Sequence, residues 1–401
     1  MTDNEALPRP GLRVVELGDM ISGPYCGRLF ARLGAEVVKV EPPDGDSSRR
    51  VGPFPEGVPD PERSGLFVFL NEGKASVTLD IATAEGIAGL HRLLADADVL
   101  VTNLPFPLRR QRGLDHASLA RSYPRLVVAT TTIFGDAGPY AELPAAELDA
   151  FAISGIAWAI GRPEREPLIL PFLQGEYQAG INLAAATWLA LFHRRRTGRG
   201  QHVDVAMADV LASYAGANGI MYVSHGLQWR RAGNRAYGSG GVYPYTILPC
   251  KDGAVCLIGR SRAEWARLVA AMGDPAWAQE PRYQDLRAMG TSYPDEVDAL
   301  VGPWLLRHRR ADLIRIAGEF GIPMAPLRTM AEVRETPQFA DRGFLRTVAD
   351  GTGQPMPAWD MPFRFRPERS PTSGPAFHHG RAPRLGEHND RSAAATREGA
   401  A

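Results

Sequence analysis

Short apolar runs alternating with amphipathic stretches dominate the first half of the chain. Residues 12–17 (LRVVEL) form a continuous run that reads as a buried strand; a Gly18-Asp19 turn follows, and Pro24 sits at a helix-starting position. Residues 25–33 predict a short helix closed by Gly34, and residues 36–40 (EVVKV) a second strand. The alternation continues with strands at 76–79, 99–102 and 126–131 and an amphipathic helix over 82–94. Strands alternating with helices predict an α/β domain with a mostly parallel, doubly wound sheet.

The pattern then changes twice. Residues 146–160 and 177–195 predict two long helices, apolar on more than one face and so expected to be buried, followed by a strand at 201–205. From about residue 225 the composition shifts: 230–241 is a Gly- and Arg-rich loop, and residues 244–258 read as a hairpin around Lys251-Asp252-Gly253. Helical stretches near 262–272 and 295–306 complete a smaller α+β domain over 225–325. Residues 344–365 read as β segments returning to the first domain. The expected organisation is therefore a large domain from 1–224, a small one from 225–325, and a return over 326–401.

Length and composition narrow the function classes. The chain has 401 residues, 44% of them hydrophobic, with 45 basic and 45 acidic side chains. This balance fits a globular protein and argues against a general nucleic-acid binder or a polybasic membrane protein. Three cysteines (Cys26, Cys250, Cys256) make no disulfide framework, no clustered His/Cys set has metal-ligand spacing, and the N-terminus is polar. No apolar run approaches the roughly 20 residues of a spanning helix. The expectation is a cytoplasmic protein with no metal, no nucleic-acid partner and no membrane segment. Only Lys39, Lys74 and Lys251 are lysines, so arginine is the default cation here and a lysine draws notice.

Candidate chemistry is sparse on pattern alone. Gly18, Gly23 and Gly27 follow the first strand and Glu41 ends the second, but the spacing G-x4-G-x3-G lacks the short turn of a dinucleotide cradle, so NAD is not expected. No serine sits in a G-x-S-x-G elbow, and the nine histidines show no pairing. Asp149 and Glu176 each precede a buried helical run. A carboxylate there serves as a helix cap or, partly desolvated beside backbone N–H groups, as nucleophile or general base; periodicity leaves both readings open.

Several segments carry a resemblance. These are GLRVVELGDMISGPYCGRLFARLGAEVVKVEPPDGDSSR near the start, LNEGKASVTLD at 70–80, FGDAGPYAELP at 134–144 and RRRTGRGQHVDVAMAD at 194–209. LPCKDGAV, GIPMAPLRTMAEVRETPQFADRGFL at 321–345 and LGEHND near the C-terminus follow in order. Together they resemble the class III CoA-transferase family, which includes formyl-CoA and carnitine CoA-transferases and α-methylacyl-CoA racemases.

The resemblance implies a Rossmann-like large domain made of both chain ends, a smaller α+β domain, and an interlocked homodimer. It implies coenzyme A as substrate and acyl carrier, an acyl-CoA and a carboxylic acid as partners, and CoA held by Met20, Ile21, Ser22, Lys74, Asn103, Leu104, Arg110 and Arg112. Arg109 joins the nearby arginines. The position of the family's aspartate nucleophile falls on Glu176 within Gln174-Gly175-Glu176-Tyr177-Gln178-Ala179-Gly180. The racemases' His-Asp pair is matched to Leu148-Asp149, leaving Asp149 to position the site, and the glycines of the loop 238–241 (Gly238, Gly240 and Gly241) are candidate oxyanion donors. The expected reaction is CoA transfer from an acyl-CoA to a free acid through a glutamyl anhydride and thioester. The alternatives are a partner-dependent or non-catalytic subunit paired with a paralogue, and an acyl-CoA racemase or isomerase.

Overall fold

The computed structural model describes residues 11–235, 241–365, 377 and 379–393. The chain divides into two units, one comprising 1–154, 170–214 and 337–401, the other 155–169 and 215–336. The small unit thus takes up the segment 155–169, which the sequence pattern places in the large domain.

The first unit is built on a six-stranded sheet of β1 (Arg13–Leu17), β2 (Glu36–Glu41), β3 (Ala75–Thr78), β4 (Val99–Thr102), β5 (Val127–Thr132) and β6 (His202–Ala206). Their order is β3-β2-β1-β4-β5-β6 and every pairing is parallel. A parallel sheet needs apolar cover on both faces, and the alternation in β1 supplies it. Val14 packs with Phe30, Val99, Leu183 and Leu191, whereas Val15 and Leu17 pack with Leu90, Leu94, Leu100 and Val128. The first group lies under helices α1 (Ser22–Arg32) and α2 (Gln174–Thr197). Glu16 is two residues from Val14 and shares its face, so a carboxylate occupies a core position.

That carboxylate is completely buried and doubly paired. One oxygen accepts from Lys39 Nζ at 3.0 Å and the other from Lys74 Nζ at 2.6 Å. Lys39 also pairs with Asp46 at 2.6 Å and donates to the Gly18 carbonyl at 2.9 Å. Lys74 donates to the carbonyl of Pro24 and to Asn71, both at 2.8 Å. Gly27 is required above this network: a Cβ there would lie 1.8 Å from a Glu16 oxygen. A second buried set, Glu41 with Arg49 at 2.7 and 2.9 Å, ties β2 to the C-terminal segment through a bond from Arg49 to the Pro383 carbonyl at 3.2 Å.

The last part of the first unit is a hairpin, Leu345–Ala349 with Pro355–Trp359, anchored by Arg346 on buried Glu72 and by Arg28 on the Trp359 carbonyl at 3.0 Å. Residues 381–389 close along β3, where the His388 amide donates to the Ser76 carbonyl at 2.9 Å and the Thr78 amide to Asn389 at 2.8 Å. Both chain ends therefore contribute to this unit. The second unit has its own core around Trp265, Leu257, Val297 and Leu305. Its sheet is antiparallel, the expected hairpin Tyr245–Cys250 and Gly253–Ile258 gaining a third strand, Met324–Pro326.

Two expected helices differ. The stretch 146–160 breaks into Glu147–Ile153 and Ile156–Ala159 because Gly155 adopts a left-handed φ of 80°. The long helix begins at Gln174 and is not buried all round: Leu189 is 71% and Phe192 59% exposed.

The buried pairs predict an acid-sensitive fold. Burial alone would raise the carboxyls of Glu41 and Asp46, but Arg49 and Lys39 respectively hold both below their ordinary range. A carboxyl depressed in the native state contributes stability that is present above its unfolded value, about pH 4, and is lost as pH falls through its native one. Replacing Lys39 by Met leaves Glu16 and Asp46 short of a partner and should cost about 3–5 kcal/mol at pH 7. It should also flatten the loss of stability below pH 4, since Asp46 then has little depression left to lose. Urea denaturation of wild type and Lys39→Met from pH 3 to 7 measures both.

Candidate active site

In a sheet of this order the strand sequence reverses between β1 and β4, and loops leaving their C-terminal ends diverge to open a crevice. Residues 18–22 leave β1 there and Asn103 follows β4. The Asn103 amide grips the loop from both sides: its oxygen accepts from the Asp19 N–H at 2.9 Å, and its nitrogen donates to the Asp19 carbonyl at 2.8 Å and to Ser22 Oγ at 3.1 Å. The approach is tight: a Cβ on Gly18 or Gly23 would come within 3.1 or 3.2 Å of the Asn103 side chain, which would have to give by a few tenths of an ångström. Asp46 and Asp19 complete the frame, accepting from the amides of Met20 at 3.3 Å and Ser47 at 2.7 Å. Met20 takes up the turn with a φ of 59°.

The two lysines set the ends of this loop, Lys39 at the Gly18 carbonyl and Lys74 at that of Pro24. Burial works against both charges. At Lys39 the carboxylates of Asp46 and Glu16 outweigh it and raise the amine above its ordinary range, whereas at Lys74 burial prevails over Glu16 and pushes it down to about 8.

Against this loop stands Glu176, in the first turn of α2, with one carboxylate oxygen 3.2 Å from the Ser22 amide that donates to it. The helix start is shaped by two successive left-handed residues, Phe172 and Leu173, with φ of 66° and 53°, a conformation costing roughly 1–3 kcal/mol each outside glycine. Buried Glu147 holds the turn, accepting from the Gly175 N–H at 2.5 Å. A Cβ on Gly175 would meet that same carboxylate at 2.9 Å. Burial raises the Glu147 carboxyl, the charge of Glu176 adds to the rise, and the amides of Gly175 and Glu176 oppose it.

Glu176, Ser22 and Asn103 open on one cavity of about 420 Å³, walled by residues 105–107 on one side and 131–145 on the other. Its lining is mixed: Phe106, Phe134, Tyr140 and Leu143 give it an aromatic and apolar side, Asn103, Thr131 and Thr132 a polar one, and Glu142 is its second carboxylate. The Gly175 N–H is taken by Glu147 and the Tyr177 N–H by the Leu173 carbonyl, so the donor that stays on the Glu176 carboxylate as its charge changes is the Ser22 amide, with the positive end of α2 behind it.

Of the residues expected to hold CoA, Ser22 and Asn103 line this cavity. Met20 and Ile21 belong to the loop, but the Ile21 side chain is buried, leaving its backbone. Three of the others are engaged away from the cavity, and the fourth stands at its rim. Lys74 is buried with its ammonium spent on Glu16, Pro24 and Asn71, and so supports the loop instead of reaching a ligand. Leu104 turns into the core beside the sheet. Arg112 donates to the Ala82 carbonyl at 3.1 Å. Arg110 is the exposed one, paired with Glu142 at 2.7 Å at the rim of the cavity. Arg109 is fully buried on Asp136.

Asp149 is exposed and caps its own helix, accepting from the Ala146 N–H at 2.8 Å. The acid beside Glu176 is Glu147. A signal for it exists in the sequence: Glu147 lies three and four positions before Ala150 and Phe151, on the face that both bury, whereas Asp149 points elsewhere. Gly238 and Gly240 lie outside the described residues; Gly241 belongs to the second unit. Among the described residues no group of three or more His, Cys, Asp or Glu is placed to hold a metal, and no helix is long and apolar enough to cross a membrane.

Substitutions at two positions probe the frame. Asn103→Ala should release residues 18–22 and lower the affinity for ligand at least several-fold, measured by calorimetric titration with coenzyme A. Glu147→Ala strands the buried Gly175 amide and should cost about 1–3 kcal/mol, whereas Glu147→Gln, which keeps an acceptor, should cost less; thermal unfolding of both variants checks the order.

Comparison with known proteins bears on the chain as a whole. The family model described as CoA-transferase family III matches residues 10–389. The chain is 30% identical to a succinate–glutarate CoA-transferase of Agrobacterium fabrum, over 97% of this chain and 96% of that one. It is also 30% identical to the beta subunit of a succinyl-CoA–L-malate CoA-transferase of Chloroflexus aurantiacus, over 96% and 93%. A solved CAIB/BAIF family protein from Brucella suis matches with a TM-score of 0.83 at 30% identity, over 96% and 98% of the two chains.

Proposed function

We propose that this chain, which belongs to CoA-transferase family III and is an enzyme of that class, moves CoA from an acyl-CoA donor to a free carboxylic acid through Glu176. The observation that carries the reading is the place of that carboxylate: in the cavity at the sheet's reversal point, with the Ser22 amide on one oxygen. The relatives' names make succinyl-CoA the first donor to try and short dicarboxylates the first acceptors.

The sequence of steps needs no external energy source. The Glu176 carboxylate attacks the thioester carbonyl, the C–S bond breaks, and an acyl-glutamyl anhydride and CoA thiolate result. The thiolate attacks the glutamyl carbonyl, expelling the donor acid and leaving a glutamyl thioester. The acceptor carboxylate attacks that thioester, giving a new anhydride and thiolate. Attack of the thiolate on the acceptor's carbonyl releases the new acyl-CoA and restores Glu176. No proton is consumed, and the thioester bond's energy is conserved throughout. The Ser22 N–H, on the Glu176 carboxylate oxygen, is the donor available when that oxygen becomes the oxyanion of attack on the glutamyl carbonyl. The apolar part of the lining, Phe106, Phe134 and Leu143, limits the approach of water to the anhydride from that side.

The partner proposed is a second copy of the chain, interlocked with the first as the resemblance implies. Supporting it are apolar side chains left uncovered on single helices: Leu189 and Phe192 on α2, and Ile220 and Val223, the last 85% exposed, on Gly216–His225. One relative's name is that of a subunit, so a paralogous partner is the alternative. Light scattering of the purified chain decides between them: a stable dimer is expected, and a monomer inactive until a paralogue is added would favour the second.

Glu176→Gln should lower CoA transfer from succinyl-CoA by on the order of a thousandfold or more. Glu176→Asp keeps the charge but draws it about one methylene back from the Ser22 amide, and should cost on the order of a hundredfold. Steady-state rates across a panel of acyl-CoAs and acids, with titration to show that CoA still binds, test both. Activity of Glu176→Gln near wild type contradicts the assignment.

A further inference from the structure

The two walls of the Glu176 cavity come from different strands, and one side chain joins them. Arg109 ends the short helix Phe106–Gln111 and has no exposed surface. Its Nε donates to the carbonyl of Leu104 at 2.9 Å, so it holds the segment that carries Asn103, Pro105 and Phe106. Its two terminal nitrogens form a bidentate pair with Asp136, one of them at 2.8 Å from Oδ2. Asp136 begins the loop that supplies Tyr140 and Leu143 to the opposite wall.

Asp136 is itself fixed to the sheet. Its N–H donates to Asp204 of β6 at 2.9 Å, and its carboxylate accepts from Thr130 of β5 at 3.1 Å and lies 3.3 Å from His202 of β6. The preceding Gly135 has a φ of 81° and a Cβ there would meet Ala206 and Asp204, both at 3.3 Å, so the loop lies flat on the strand end. Burial opposes the Asp136 charge, but hydrogen bonds from His202 and Arg109 hold its carboxyl far below the usual range. Neither Arg109 nor Asp136 lines the cavity.

We infer that the Arg109–Asp136 pair is a clamp that sets the width of the Glu176 cavity, so that both are positioning residues for the thioester end of acyl-CoA. The inference rests on the reading of that cavity as the acyl-CoA site. A guanidinium is needed because one planar fork must satisfy a carboxylate and a backbone carbonyl together, which an ammonium does not span. A change in the spacing of the walls loosens the fit of the bound acyl-CoA in ground and transition state alike, and so is read in KM and Kd.

The test uses the full-length protein with Arg109→Lys, Arg109→Met and Asp136→Asn, each compared with wild type and Glu176→Gln. The readouts are the KM for succinyl-CoA, the kcat, the Kd for coenzyme A, and hydrogen exchange by segment. Expected are a KM and Kd raised about tenfold or more in Arg109→Met and Asp136→Asn with kcat within about threefold, and an intermediate effect in Arg109→Lys. Exchange should quicken in residues 103–107 and 133–145 and stay unchanged in β1–β3. If Arg109→Met does not fold, Arg109→Lys and Asp136→Asn decide. KM and Kd within twofold of wild type, whatever the change in melting temperature, would show that the pair only supports the fold. A fall in kcat at unchanged KM would equally overturn the clamp. Turnover by Glu176→Gln would remove the underlying reading of the cavity, and its loss beside wild-type KM values in the clamp variants would remove the clamp alone.

Discussion

Everything at the candidate site hangs on a carboxylate buried in the first strand. Glu16 occupies a position that the alternation of β1 reserves for an apolar side chain, and it is tolerated because Lys39 and Lys74 each give it an ammonium within 3.0 Å. Burying three charges costs several kcal/mol per ion before the pairing returns it, and an apolar substitute of the same volume would be as stable or more so. What an apolar substitute lacks is the remaining hydrogen bonds. The lysines use theirs on the carbonyls of Gly18 and Pro24, the two ends of the loop that presents Ser22 to Glu176. The network converts a strand-to-helix turn into a fixed frame, and that frame gives the reacting carboxylate one orientation.

The frame also explains why lysine persists at these two positions in a chain whose other basic residues, Lys251 aside, are arginine. A compact ammonium fits beneath α1, where Gly27 leaves room for nothing bulkier, and it distributes three bonds in three directions. Arginine appears where a planar fork is wanted: Arg49 on Glu41, Arg346 on Glu72, and Arg109 on Asp136.

How much of this could be read from the sequence depended on how local the cause was. The strands of the parallel sheet were legible because each is an apolar run bounded by its own turn residues, and the Lys251-Asp252 hairpin for the same reason. The break at Gly155 was not, because an isolated glycine in an apolar stretch is compatible with an unbroken helix until tertiary packing selects the left-handed backbone. The strand Met324–Pro326 pairs with residues nearly seventy positions earlier, and nothing within its three residues announces that. At the site, Glu176 was placed by resemblance and the structure adds its partner, Ser22. Lys74 drew attention as a rare lysine, yet charge alone does not distinguish a ligand contact from a buried strut. Glu147 was overlooked in favour of Asp149, two positions on, although the positions of Ala150 and Phe151 mark the inward face.

The claim that organises this account is that Glu176 becomes covalently modified during turnover. Peptide mass spectrometry after incubation with succinyl-CoA and other acyl-CoAs addresses it directly. The account predicts a CoA thioester on the peptide containing Glu176, discharged by hydroxylamine and absent from Glu176→Gln. An unmodified peptide in an enzyme that binds CoA and turns over would contradict it and place the chemistry elsewhere.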